Sequence, residues 1–179
     1  MSWVSRWVAL VYKVASGDWK TKVILAPIVG TLYLSLIAFF VFLSLAVDQW
    51  VGFPKVASAL SLVIGSFFII FGIVLTFVSI AFFFRARGTP VPVSPPPKLV
   101  TTGPYRFVRN PMLSGIFIQL FGLGIALGSL SLTLIFTPLF IIINVWELKK
   151  VEEPELLKRL GEPYAEYKKQ VPMFFPWQK

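Results

Sequence analysis

Three stretches of this chain, 23–47, 56–84 and 111–146, contain no charged side chain. A helix needs roughly 20 apolar residues to cross the hydrocarbon of a bilayer, and each stretch reaches that length. Backbone polar groups in lipid must be satisfied within the segment, so runs of this kind fold as helices rather than as open sheets. The third run is too long for one straight crossing. "GSLS" at 128–131, near its middle, predicts a tight turn between two shorter helices. The expected fold is an all-α membrane protein with four transmembrane helices at about 23–47, 56–84, 111–127 and 131–146. Hydrophobic residues make up 56% of the chain. That exceeds the roughly 45–50% usual in soluble domains and places the chain in the same class.

The charges are distributed to match. Arg6, Lys13, Lys20 and Lys22 precede the first span, and Arg85, Arg87, Lys98, Arg106 and Arg109 follow the second. Seven more Lys and Arg follow the fourth, whereas Lys55 alone lies on the other side. Positive charge collects on the cytoplasmic side of membrane proteins. The expectation is therefore an integral membrane protein with both termini and the 85–110 loop in the cytoplasm. The net charge of +9 then needs no nucleic-acid partner.

The flanks carry their own patterns. Residues 1–22 lack the continuous apolar stretch of a signal peptide. Trp3, Val4, Trp7, Val8, Val11 and Val14 recur at helical spacing, which predicts an interfacial amphipathic helix over 1–22. "TPVPVSPPP" in the basic loop favours extended polyproline geometry. Residues 147–179 are polar and predict a cytoplasmic helical tail ending in the interfacial "VPMFFPW".

The chain has no Cys and no His. Thiolate nucleophiles, His general bases and Cys/His zinc sites are excluded, so chemistry must rest on carboxylates, Tyr, Lys, Arg, amides or a cofactor. A turn at 128–131 would return the chain and bring "RFVRNPMLSG" (106–115) near the paired Glu152 and Glu153. Consecutive helical residues point about 100° apart. One glutamate can therefore face a site while the other meets a basic neighbour; equally, both can lie on a solvated face with Lys149, Lys150 or Arg159. Gln119, deep in the third run, either bonds across helices or lines a cavity. Gly115, Gly122, Gly124 and Gly128 give that run a small surface for helix packing or for a ligand.

"LVTTGPYRFVRNPMLSG" (99–115), followed by a hairpin and "VEEPELLKRLGEPYAEYKKQVP" (151–172), resembles the isoprenylcysteine carboxyl methyltransferase family. These are integral membrane enzymes, and "NPM" and "EEP" are similar to membrane phospholipid N-methyltransferases as well. The shared pattern is Gly103-Pro104-Tyr105-Arg106, Arg109-Asn110-Pro111, Glu152-Glu153 with Leu156, and Gly161 with Tyr164 and Tyr167. Asn110 stands where these enzymes usually have His, and Met173 where many relatives have Arg. The resemblance implies a methyltransferase that uses S-adenosylmethionine, needs no metal, and takes a lipid or lipidated acceptor from the bilayer. It implies cofactor contacts from Tyr105, Arg106, Arg109, Asn110, Pro111, Gly115, Gln119, Glu153 and Tyr164, and catalytic roles for Glu152, Glu153 and Arg109. The tail would complete the cofactor site. A sterol-type reductase binding NADPH and a non-enzymatic membrane subunit are the alternatives, and the oligomeric state is not legible.

Overall fold

The computed structural model describes residues 5, 6, 8, 9, 12, 19–86 and 98–174. The expected amphipathic helix over 1–22 and the proline-rich stretch therefore lie largely outside the described residues, as does the end of "VPMFFPW". The described residues are helical, with no strand among them. Four helices carry the apolar sequence: α1 (Trp19–Val51), α2 (Ala59–Arg85), α3 (Pro111–Leu127) and α4 (Thr137–Glu147). Two short helices, α5 (Glu153–Leu160) and α6 (Glu162–Gln170), follow.

Three helical runs are long and apolar enough to cross a membrane: Pro27–Val51, Ala59–Arg85 and Leu132–Leu160. Pro111–Leu127 is apolar but shorter, at 17 residues. Large side chains on the long runs stay bare, including Leu34, Phe42, Phe67 and Phe77. Such surfaces suit lipid, since contiguous apolar patches of that size are rare on proteins in water.

The chain separates into two compact units. The apolar unit comprises Tyr33–Phe77 and Met112–Asn144. Here α2 and α3 meet through glycine. A Cβ on Gly65 would come within 2.6 Å of the Gly122 carbonyl, and one on Gly72 within 2.5 Å of the Gly115 carbonyl. Without a hydrophobic drive between helices in lipid, such close backbone contact supplies the association. Phe140 is fully buried, with the rings of Tyr33, Phe40 and Phe117 at 5.5–6.2 Å.

The turn after α3 forms at Gly128, whose φ of +63° is open to glycine. Ser129 N–H donates to the Gly124 carbonyl at 2.9 Å. Asp48 sits in the last turns of α1. Its carboxylate accepts the Ser129 hydroxyl and, at 3.0 Å, the Ser131 N–H. Those bonds hold a charged residue in helix that its sequence neighbours would end.

The polar unit comprises the described parts of Met1–Leu32, Val78–Pro111 and Val145–Lys179. A wide π turn at Leu148–Glu152 joins α4 to α5 without a break. It lies directly before Pro154, which lacks the N–H for a regular bond and whose ring crowds the preceding turn. Helix thus continues past Glu147, up to Gly161. That residue takes φ +64° with open space around it, so backbone geometry, not crowding, requires glycine there.

Candidate functional site

The polar unit gathers most of the residues that the sequence singles out. The 3₁₀ turn Gly103–Arg106 carries Tyr105, and the short segment after it carries Arg109 and Asn110. Pro111, fully buried, opens α3. Gly103 adopts φ +61° and lies against the Phe82 ring, where any side chain would collide. That contact packs the turn against α2. Tyr105 then inserts its ring 5.1 Å from Phe83, with its hydroxyl donating to the Ser79 carbonyl at 3.5 Å.

Arg109 is the hub. Its Nη2 donates to Glu153 Oε1 at 2.6 Å, and its Nη1 donates to the carbonyls of Val171 (2.6 Å) and Lys168 (3.0 Å). Lys168 Nζ donates to the other Glu153 oxygen at 2.6 Å. The Arg109 side chain is 10% exposed and that of Glu153 7%. Both oxygens of Glu153 are thus taken up by protein cations. The backbone follows suit: the N–H groups of Arg109 and Asn110 donate to the Pro172 and Met173 carbonyls at 2.8 and 3.1 Å. The Asn110 amide adds a bond to Met173 at 3.4 Å.

Three polar groups stand apart from this saturation. Arg109 Nε is buried with no hydrogen-bond partner. Glu152 is half-buried and, among the described residues, has neither hydrogen bond nor ion pair. Glu155, by contrast, pairs with Arg159 at 2.7 Å. Tyr164 is buried, yet its hydroxyl has no partner among the described residues. Burial, then the charges of Glu153 and Glu152, hold the Tyr164 phenol above its usual pKa, opposed by Arg109. Burial also raises the phenols of Tyr105 and Tyr167. All three remain protonated donors at neutral pH, and Tyr167 uses its proton on the Tyr105 carbonyl at 2.6 Å.

Buried polar groups are nearly always partnered. Arg109 Nε is the one buried side-chain nitrogen without a partner among the described residues, and a guanidinium donor suits a carboxylate.

Arg106 stands outside the ion-pair network, with its guanidinium 4.9 Å from the Phe107 ring centroid. Gly115 and Gln119 belong to the apolar unit. There Gly115 sits at the α2–α3 contact. Gln119 donates to Thr76 Oγ1 at 2.9 Å and to the Gly115 carbonyl at 3.3 Å. Sequence reasoning missed Lys168 and the carbonyls of 168, 171, 172 and 173, because backbone acceptors carry no residue-type signal.

A model of the phospholipid methyltransferase family matches residues 60–162. Protein-S-isoprenylcysteine O-methyltransferase of Schizosaccharomyces pombe is 34% identical over 44% of this chain and 33% of its own length. Methanethiol S-methyltransferase 1 of Bradyrhizobium diazoefficiens is 27% identical over 47% of this chain and 28% of its own. The chain thus spans a third or less of the curated relatives it matches. No solved structure matches it.

Proposed function

The chain belongs to the phospholipid methyltransferase family, and on that premise we propose that it is a membrane-embedded methyltransferase using S-adenosylmethionine. The acceptor is a lipid or lipidated molecule reached from the bilayer, as the bare apolar helices favour. The observation that carries the proposal is the buried, unpartnered Arg109 Nε beside a saturated Glu153, with the half-buried Glu152 on the same unit. When bound, S-adenosylmethionine supplies a methyl group on a cationic sulfur. The chain's task is then to hold and shield, since proximity and orientation dominate such a displacement.

In this reading Arg109 holds the donor's carboxylate and Glu152 meets its positive charge or its ribose hydroxyls. Tyr164 contributes a hydrogen-bond donor. Glu153 and Lys168 act through Arg109 by fixing its plane. Pro111 fixes the start of α3, and Asn110 ties this segment to the tail. In this reading the chain has four spans, counting Pro111–Leu127 as the third, and both termini are cytoplasmic, which the distribution of positive charge supports.

Calorimetry on the detergent-solubilised protein tests the reading. The parent binds S-adenosylmethionine, and Glu152→Gln weakens binding about tenfold or more, as expected for one lost charged contact. A parent that binds nothing, or a Glu152→Gln variant that binds as well as the parent, sinks it. Tight NADPH binding would instead favour a reductase.

A further inference from the structure

A π turn occurs at Leu132–Phe136 in the apolar unit as well as at Leu148–Glu152 in the polar unit. Both end in the same way. Thr137 N–H donates to the Leu132 carbonyl, and Glu153 N–H donates to the Leu148 carbonyl, each bond reaching back five residues. The next residue is a proline both times, Pro138 and Pro154. A proline gives no N–H for the next helical bond, and its ring crowds the carbonyl four residues earlier. A wider turn gives that ring room. Recurrence in two units with different surroundings ties the wide turn to the proline and not to one packing environment.

At Leu148–Glu152 the extra residue sets the register of two carboxylates. Consecutive helical residues point about 100° apart, so one added residue turns everything after it by that angle. Glu153 then stands where an unbroken α-helix would set Glu152. There it meets Arg109 and Lys168, each at 2.6 Å, with 7% of its side chain exposed. Glu152 is half-buried and outside those ion pairs. Leu148 and Val151 are buried, so the turn is packed within its unit and is no frayed end. The doublet offers Arg109 a carboxylate in either register. The turn decides which glutamate the cations take and which stays open.

We propose that Pro154 is a positioning residue: by holding the π turn wide it places Glu153, and not Glu152, on Arg109. Glu152 is thereby left for the methyl donor. That last clause rests on the methyltransferase reading; the register of the ion pair does not.

The test uses the solubilised full chain and its Pro154→Ala variant, which restores an N–H at 154 and lets the regular bond to the Lys150 carbonyl form. The helix after it then turns back by one position, and the glutamates exchange roles. In the parent, Glu153→Gln lowers the melting temperature by about 10 °C, as for one lost partner of a buried pair, and Glu152→Gln barely moves it. In the Pro154→Ala background, Glu152→Gln brings the large drop and Glu153→Gln is tolerated. Double-mutant cycles with Arg109→Gln show coupling to position 153 in the parent and to 152 in the Pro154→Ala chain. Pro154→Ala therefore rescues Glu153→Gln, which a merely structural proline would not allow. Pro154→Lys, which also restores the N–H, gives the same exchange. In calorimetry, the loss of S-adenosylmethionine affinity, about tenfold, moves from Glu152→Gln in the parent to Glu153→Gln in the Pro154→Ala chain.

Arg109 still coupled to Glu153 in the Pro154→Ala chain overturns the proposal, and so does failure of both Pro154 variants to fold. Donor affinity that falls with Glu152→Gln in both backgrounds rejects the register device and leaves the methyltransferase reading standing. Exchange of the ion pair with no donor binding in any chain keeps Pro154 in its role and removes the methyltransferase reading.

Discussion

The apolar unit and the polar unit hold their residues together by different means. In the apolar unit, Gly65, Gly72, Gly115 and Gly122 let two backbones meet, and several polar side chains find partners within it, although the buried Thr137 hydroxyl is left without one. Gln119 meets Thr76, Asn144 accepts from Tyr33 at 3.0 Å, and Asp48 meets Ser129 and Ser131. In the polar unit, charge is buried around Arg109, whose Nε is left open. Loose valence is costly in lipid, because an unmet polar group there costs several kcal/mol. A site needs some, because a ligand must have something to complete.

Substitutions break or sharpen this contrast. The largest effect should come from Glu153→Ala. It leaves Arg109 and Lys168 without their carboxylate, and removing one partner of a buried pair costs about 3–5 kcal/mol. A thermal melt in detergent should show a large drop, with binding of the methyl donor lost alongside. Next is Gly72→Leu, which forces a side chain into the Gly115 backbone. Overpacking of this kind costs up to about 3 kcal/mol, and its mark should be lost stability with no specific change in ligand preference. Glu152→Gln should behave in the opposite way. The melt should stay within about 0.5 kcal/mol of the parent, as for substitutions that break no internal contact, while donor affinity falls. Smallest is Gln119→Leu. Interhelical hydrogen bonds in membranes average about 0.6 kcal/mol, so a slight loss of stability with donor affinity intact is expected. A large loss of affinity there would erase the division between the units.

The same contrast explains what the sequence reveals. Helix and lipid exposure are legible because they depend on long uncharged runs. The 128–131 turn is legible because Gly128 is needed for its backbone. The pairing of Glu152 with Glu153 announces a site, yet their separate roles depend on which one meets Arg109, and that follows from the π turn at Leu148–Glu152. Nothing in "LKKVE" marks a π turn beyond the proline that follows. Arg106 and Arg109, three residues apart, look equivalent in sequence. The turn between them buries one among carbonyls and leaves the other on a groove. The partners of Asp48 are not legible, because its serines lie some eighty positions away.

The backbone bonds from 109–110 to 172–173 have a consequence for biogenesis. Asn110 and Met173 are 63 positions apart. Closing so long a loop is entropically slow and rewards the chain only once both ends are present. The helices can therefore form before the contacts that join Arg109 and Asn110 to the tail exist, and those contacts arrive together as a late event.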